Sequence, residues 1–252
     1  MEFDGVFQEA EIFVNGKPAG NHVGGYTGFY IDISPLVQAR DNMLAVRVNN
    51  NWKSNVAPRA GEHVFSGGIY RNVRLVLKSP VHIDWYGTFV TTPDLGKNQG
   101  KFSSVKVETD VCNTSKKEGT YRLLTQIISP DGKVITSVET KETIAAGSSR
   151  KFSQITRTLN NPQLWSLSAP VLYKVISKLY QGKQFIDEDE TAFGFRWFEW
   201  TADRGFFLNG EHLYFKGANV HQDQAGWGDA VTEAAMYRDV SMMKEAGFDL
   251  IR

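Results

Sequence analysis

Phe215-Lys216-Gly217-Ala218-Asn219-Val220-His221-Gln222-Asp223, followed by Thr232 to Gly247 and then Phe248-Asp249-Leu250-Ile251, is the stretch that decides the fold. Its opening leads out of a strand into a polar loop. Thr232 has the chemistry of a helix N-cap. Met236, Val240 and Met243 recur at i, i+4 and i+7 on one helical face, and Gly247 sits where a C-terminal glycine cap belongs. Phe248 to Ile251 resumes as a strand. Strand, loop, amphipathic helix and strand make a βαβ unit, which implies a parallel sheet that must continue. One such unit cannot cover its own faces. Unless it packs on the β-structure before it, a segment of a longer protein is the expectation at Arg252, supported by a first strand that starts by Glu11 without preceding partners.

Upstream, the residues read as β-structure. Phe206 to Leu208, Asn209-Gly210 and Leu213 to Phe215 form one predicted hairpin. Glu11 to Val14 leads into Asn15-Gly16, the strongest short hairpin signal. Leu44, Val46 and Val48 alternate with Ala45 and Arg47, and Val73, Leu75 and Leu77 repeat that period. After a break at Ser79-Pro80, Val105, Val107 and Val111 share one face while Lys106, Glu108 and Asp110 take the other. Tyr121 to Ile128 runs into the turn Ser129-Pro130-Asp131-Gly132, and Tyr173 to Tyr180 precedes Gln181-Gly182. Strands recurring about every 10–15 residues with turns between them predict an antiparallel sandwich.

Composition narrows the function. Lys plus Arg and Asp plus Glu each number 28, so the formal charge is zero. Nucleic acid and anionic membrane are poor partners for such a chain, because phosphate binding needs clustered cations and these are scattered. No apolar run approaches the ~20 residues that span a bilayer. The lone Cys112 forms no intrachain disulfide and excludes a Cys-based zinc or redox motif. Aromatic residues make up 12% of the chain, rings that either fill sandwich cores or offer flat faces to sugars.

His221 stands just past a predicted strand, and the C-terminal ends of barrel strands line active sites. A solvated or structural loop histidine is the plainer alternative. Asp223 either orients His221 or holds a sugar hydroxyl, or else closes an Asx-turn. Trp227, between Gly226 and Gly228, is a sugar platform or a packed loop anchor. In the run Gly61-Glu62-His63-Val64-Phe65-Ser66-Gly67-Gly68-Ile69-Tyr70-Arg71, Glu62 is either a solvated loop acid or a group that reaches a neighbouring site. Gly67-Gly68 and Gly24-Gly25 are not dinucleotide fingerprints, and no nucleophile elbow, metal-binding helix or phosphate loop is present.

Four motifs together resemble glycoside hydrolase family 2, whose members include β-galactosidases, β-glucuronidases and β-mannosidases. They are Glu11-Ile12-Phe13-Val14-Asn15-Gly16 with Gly20 and His22 to Tyr26; Gly68-Ile69-Tyr70-Arg71-Asn72-Val73; Pro162-Gln163-Leu164-Trp165-Ser166 with Pro170-Val171-Leu172-Tyr173; and Phe193-Gly194-Phe195-Arg196 with Leu208-Asn209-Gly210 and Phe215 to His221. The resemblance implies a mainly β chain: a partial sugar-binding jelly-roll domain (1–80), an immunoglobulin-like β-sandwich (81–195) and the first βαβ of a (β/α)₈ TIM barrel (196–252). It further implies a retaining exo-β-glycosidase, with β-galactosidase the leading reading and β-glucuronidase next; a non-catalytic carbohydrate-binding or structural sandwich module is the other class.

Such enzymes use a pair of Glu residues on later barrel strands. A barrel of this type needs about 250 residues, whereas 31 follow His221. No catalytic residue is therefore expected within the segment. By the same resemblance His221, Asp223 and Glu62 are substrate-binding candidates, and the expected partner is a terminal β-linked sugar. Val220 and Gln222 stand where many relatives carry Arg and Glu, so subsite contacts should differ from theirs. No cofactor is evident; a divalent or sodium ion and a homo-oligomer are both compatible with the complete enzyme.

Overall fold

A computed structural model describes residues 1–57 and 65–252. The described residues are mainly strand, with one α-helix at Glu233–Glu245. They divide into two compact units, Lys78–Tyr214 and the pair of segments Met1–Leu77 and Phe215–Arg252.

The Lys78–Tyr214 unit contains an immunoglobulin-like sandwich. One antiparallel sheet places Lys106–Asn113 between Val81–Thr91 and Ser148–Ile155. The other runs Val134–Ile144, Gly119–Ile128, Tyr173–Gln181, Gln184–Phe193. Period-two sequence becomes period-two burial: Val107 and Val111 are fully buried, and outward-facing Lys106 pairs with Glu108 at 2.8 Å. The apolar interior falls into two clusters. One gathers Ile83, Val111, Leu123, Phe152 and Leu179, the other Val105, Val107, Ile127, Val175 and Phe195. Between them each inward face carries a buried polar residue: Thr109, Thr125, Gln154 or Ser177. Thr125 Oγ1 donates to Gln154 Oε1 (2.6 Å) and lies 3.2 Å from Ser177 Oγ, while Gln154 Nε2 donates to the Leu123 carbonyl at 3.1 Å. Burying Thr125, Gln154 and Ser177 is tolerable because they satisfy one another, whereas Thr109 Oγ1 has no hydrogen-bond partner among the described residues.

In the second unit, Glu9–Val14 lies between Lys17–Val23 and Leu44–Asn49, and Glu2–Phe3 lies between Phe29–Tyr30 and Val73–Arg74. Asn15 and Gly16 both have positive φ (51° and 75°), the conformation that a two-residue hairpin turn demands. Phe3, Val6, Ala10, Ile12 and Phe29 form the core. At the other end of the sequence, Gly217–Ala218 pairs in parallel with Leu250–Ile251. The intervening helix is capped by Thr232, whose side chain accepts from the Ala235 amide, and is followed by Gly247 at φ 85°.

Four sequence expectations change in detail. Short strands Glu2–Phe3 and Val6–Phe7 precede Glu9–Val14, too brief for any period to show. The strand returning from Asn209-Gly210 is Glu211–His212, since the tight turn sets Glu211 directly opposite Leu208. The pattern Val73, Leu75, Leu77 yields strand only at Val73–Arg74, because its partner offers just Phe3 and Glu2 for pairing; Leu77 is 87% exposed. Val240 on the helix is exposed, and the buried side instead carries Ala235, with Asp239 taken up by a bond from Gln224 Nε2.

Candidate functional site

The parallel pair Gly217–Ala218 and Leu250–Ile251 gains one more rung where the Val220 amide donates to the Arg252 carbonyl at 2.9 Å. His221 is the next residue, at the C-terminal end of the strand, where parallel α/β sheets and barrels place their binding groups. Its Nδ1 lies 3.7 Å from Asp223 Oδ1, with side chains 63% and 31% exposed. That separation is too long for a hydrogen bond and allows an ion pair only when the imidazole is protonated. The two candidates are thus neighbours that both reach solvent.

Gln222, between them, points to the other segment of the same unit: its Nε2 donates to the Tyr26 hydroxyl at 3.0 Å. Tyr26 follows Gly24-Gly25. A Cβ on Gly25 would fall 2.2 Å from the Phe7 ring, so only glycine lets this turn approach so closely. The Tyr26 ring packs against Phe7 and edge-on to Tyr70, and the Tyr70 hydroxyl donates to the Gly25 carbonyl at 2.5 Å. Burial pushes both phenols up, helped at Tyr26 by the Asp229 and Asp223 carboxylates and opposed at Tyr70 by Arg71. Burial also lowers His22, which stacks on Phe29 at 4.2 Å.

Asp229 completes the junction. It is fully buried and exchanges two bonds with Ser66: its Oδ2 accepts from the Ser66 amide and its own amide donates to Ser66 Oγ, both at 3.3 Å. Its carbonyl accepts from the Arg71 guanidinium. Asp229 Oδ1 has no hydrogen-bond partner among the described residues. Segments 22–26, 65–71 and 219–229 therefore meet at one place.

Glu62 lies outside the described residues. Trp227 is 49% exposed at the tip of a tight loop closed by the Gln224 amide on the Gly228 carbonyl, beside Arg238 and Asp239. Among the described residues no group of three or more His, Cys, Asp or Glu side chains is placed to hold a metal ion, and no helix is long and apolar enough to cross a membrane. Sequence reasoning did not single out Asp229, Ser66 or Tyr26 as site residues. The available signal was glycine spacing: Gly25 before Tyr26, and Gly228 before Asp229, where a Cβ would lie 2.5 Å from Ser66 Oγ.

Comparison with known proteins gives this arrangement its family. The sugar-binding domain of glycosyl hydrolases family 2 matches residues 1–80, the model described as glycosyl hydrolases family 2 matches 81–196, and the family's TIM barrel domain matches 201–252. The chain belongs to glycoside hydrolase family 2. Relatives of this family 2 chain include a β-galactosidase from Bacteroides ovatus, 32% identical over 100% of this chain and 29% of the relative. A β-glucuronidase from Bacteroides fragilis is 31% identical over 100% of this chain and 36% of its own length. The crystal structure of a Bacteroides uniformis β-glucuronidase superposes with a TM-score of 0.93 at 33% identity, covering 100% of this chain and 30% of that one. The family 2 chain thus spans about a third of the length of these relatives.

Proposed function

We propose that the chain is the N-terminal segment of a retaining exo-β-glycosidase, and that its substrate is a terminal β-galactoside. The observation that carries the reading is the pairing of His221 with Asp223 at the C-terminal end of the first parallel strand, backed by the sugar-binding segment through Gln222 and Tyr26. His221 donates to sugar hydroxyls and Asp223 accepts from them. Bonds of this kind that tighten as the ring gains oxocarbenium character lower the barrier by a few kcal/mol. Leaving-group protonation and nucleophilic attack fall to two Glu residues about 5–5.5 Å apart on later barrel strands, outside these 252 residues.

A neutral sugar suits the described site. Arg71 at the junction directs its Nη1 to the Asp229 and Tyr70 carbonyls, whereas a uronate would need a cation for its carboxylate. The β-glucuronidase reading is the alternative, favoured by relatives of that name at similar identity. The test is hydrolysis of p-nitrophenyl β-galactoside and β-glucuronide by the full-length enzyme, and by its His221→Ala variant. We expect preference for the galactoside and a loss of about 100-fold or more in kcat/KM in the variant, with folding intact. Preference for the glucuronide overturns the substrate, and near-normal kinetics in the variant removes His221 from the site.

A further inference from the structure

The Tyr26 hydroxyl is a polar group at this site to which the proposed function gives no role toward substrate. The Tyr26 hydroxyl receives a hydrogen bond from Gln222 Nε2, which occupies one lone pair. Its own hydrogen meets no acceptor among the described residues. The ring is not free to turn away, because Phe7 and Tyr70 hold it on two sides, and the backbone before it is pinned by the Tyr70 bond to the Gly25 carbonyl. Tyr26 is nevertheless 41% exposed. Through Gln222, 196 residues away in sequence, the phenol is fixed beside the residue that immediately follows His221.

We propose that Tyr26 is a substrate-positioning residue whose hydroxyl donates a hydrogen bond to a sugar hydroxyl at the His221–Asp223 end of the first barrel strand. The geometry has the form that sugar recognition needs: a rigid donor, braced from behind, on a segment different from the one that carries the imidazole. Preorganisation of this kind removes the entropic cost of fixing the donor when sugar binds. The elevated titration of the phenol keeps the donor protonated throughout the neutral range. Gln222 is the brace, so this chain's departure from the Glu of many relatives gains a purpose: an amide donates to the phenol, which a carboxylate could not do, and so leaves the phenol's hydrogen for the substrate.

The inference rests on the glycosidase reading, and the experiment separates the two. The full-length enzyme, its Tyr26→Phe variant and its Gln222→Ala variant are assayed with p-nitrophenyl β-galactoside and with the 2-, 3-, 4- and 6-deoxy analogues. Tyr26→Phe keeps the ring packing and removes only the hydroxyl. We expect it to lower kcat/KM for the parent substrate about 3- to 10-fold, the worth of one neutral hydrogen bond, while the melting temperature stays put. The penalty for one of the deoxy analogues should shrink by the same factor, because that analogue lacks the hydroxyl Tyr26 contacts. Gln222→Ala should move in the same direction by less. An active parent with unchanged deoxy penalties in Tyr26→Phe overturns this inference and leaves the glycosidase reading standing. A parent without turnover of any β-glycoside overturns both. A Tyr26→Phe variant that loses melting temperature with every deoxy penalty intact assigns Tyr26 a purely structural role and overturns it as well.

Discussion

The two units are held together by different physics. In Lys78–Tyr214 one continuous run of chain folds on itself, and alternating apolar residues from facing sheets bury Phe152, Leu123, Leu179 and Phe195 completely. In the other unit two segments distant in sequence come together, but the small core around Phe3 and Phe29 is drawn from the first of them, Met1–Leu77, and large side chains such as Met43 and Leu75 stay 69% and 64% exposed. What joins those segments is polar: Arg71 and Ser66 on Asp229, and Gln222 on Tyr26. The candidate site is built where hydrophobic burial is thinnest, so its geometry depends on a few hydrogen bonds. Binding elements are commonly drawn from such regions of lower local stability.

The sharpest way to break the contrast is at the sandwich core. Phe152→Ala should destabilise Lys78–Tyr214 by about 3–5 kcal/mol, read as loss of hydrogen-exchange protection confined to that unit. Equal loss in both units would show that they unfold as one. Asp229→Ala should cost about 1–3 kcal/mol, because it removes the carboxylate that accepts from the Ser66 amide, and should loosen exchange in the 65–71 and 219–229 segments alone. An effect as large as that of Phe152→Ala would refute the idea that the junction is a light polar clasp. Thr232→Ala removes the helix cap and should lower thermal stability by about 1 kcal/mol, again in the second unit only.

The smallest test concerns reactivity. Burial, followed by the nearby Asp84 and Asp110 carboxylates, pushes the Cys112 thiol up to about 11. Since only the thiolate reacts, alkylation by iodoacetamide at pH 8 should run roughly a hundredfold slower than for a free cysteine peptide, and climb about tenfold per pH unit toward pH 11. A rate like that of the peptide would show the sandwich opening locally at that strand.

Much of the architecture was legible because its signals are local. Asn15-Gly16 and Asn209-Gly210 dictate their turns through positive φ, and Thr232 and Gly247 bracket the helix by capping chemistry. His221 and Asp223 stand out as candidates because strand and loop can be recognised around them. The tertiary junction was harder to see. In Gly228-Asp229-Ala230 the glycine hints at a close approach but does not announce a buried carboxylate, since that burial depends on Ser66, 163 residues away. Spacing puts Val240 on one face with Met236 and Met243, yet it is exposed, while Asp239 beside it takes a hydrogen bond from Gln224. Local pattern cannot weigh a distant donor against an apolar methyl.

The band of Thr109, Thr125, Gln154 and Ser177 across the sandwich interior has a consequence for how the strands find their partners. Apolar alternation alone rejects a slip of one residue, which would turn a strand inside out, yet it is blind to a slip of two, which returns every valine and leucine to the same side. A two-residue slip of Gly119–Ile128 against Tyr173–Gln181 would separate Thr125 from Ser177, its native cross-strand partner, and bring hydroxyls up against leucine and valine. The unpaired polar groups would then be stranded in an apolar interior at about 1–3 kcal/mol each. The band therefore supplies the parity-breaking information that the hydrophobic code lacks, and widens the energy gap between the native pairing and its nearest look-alike.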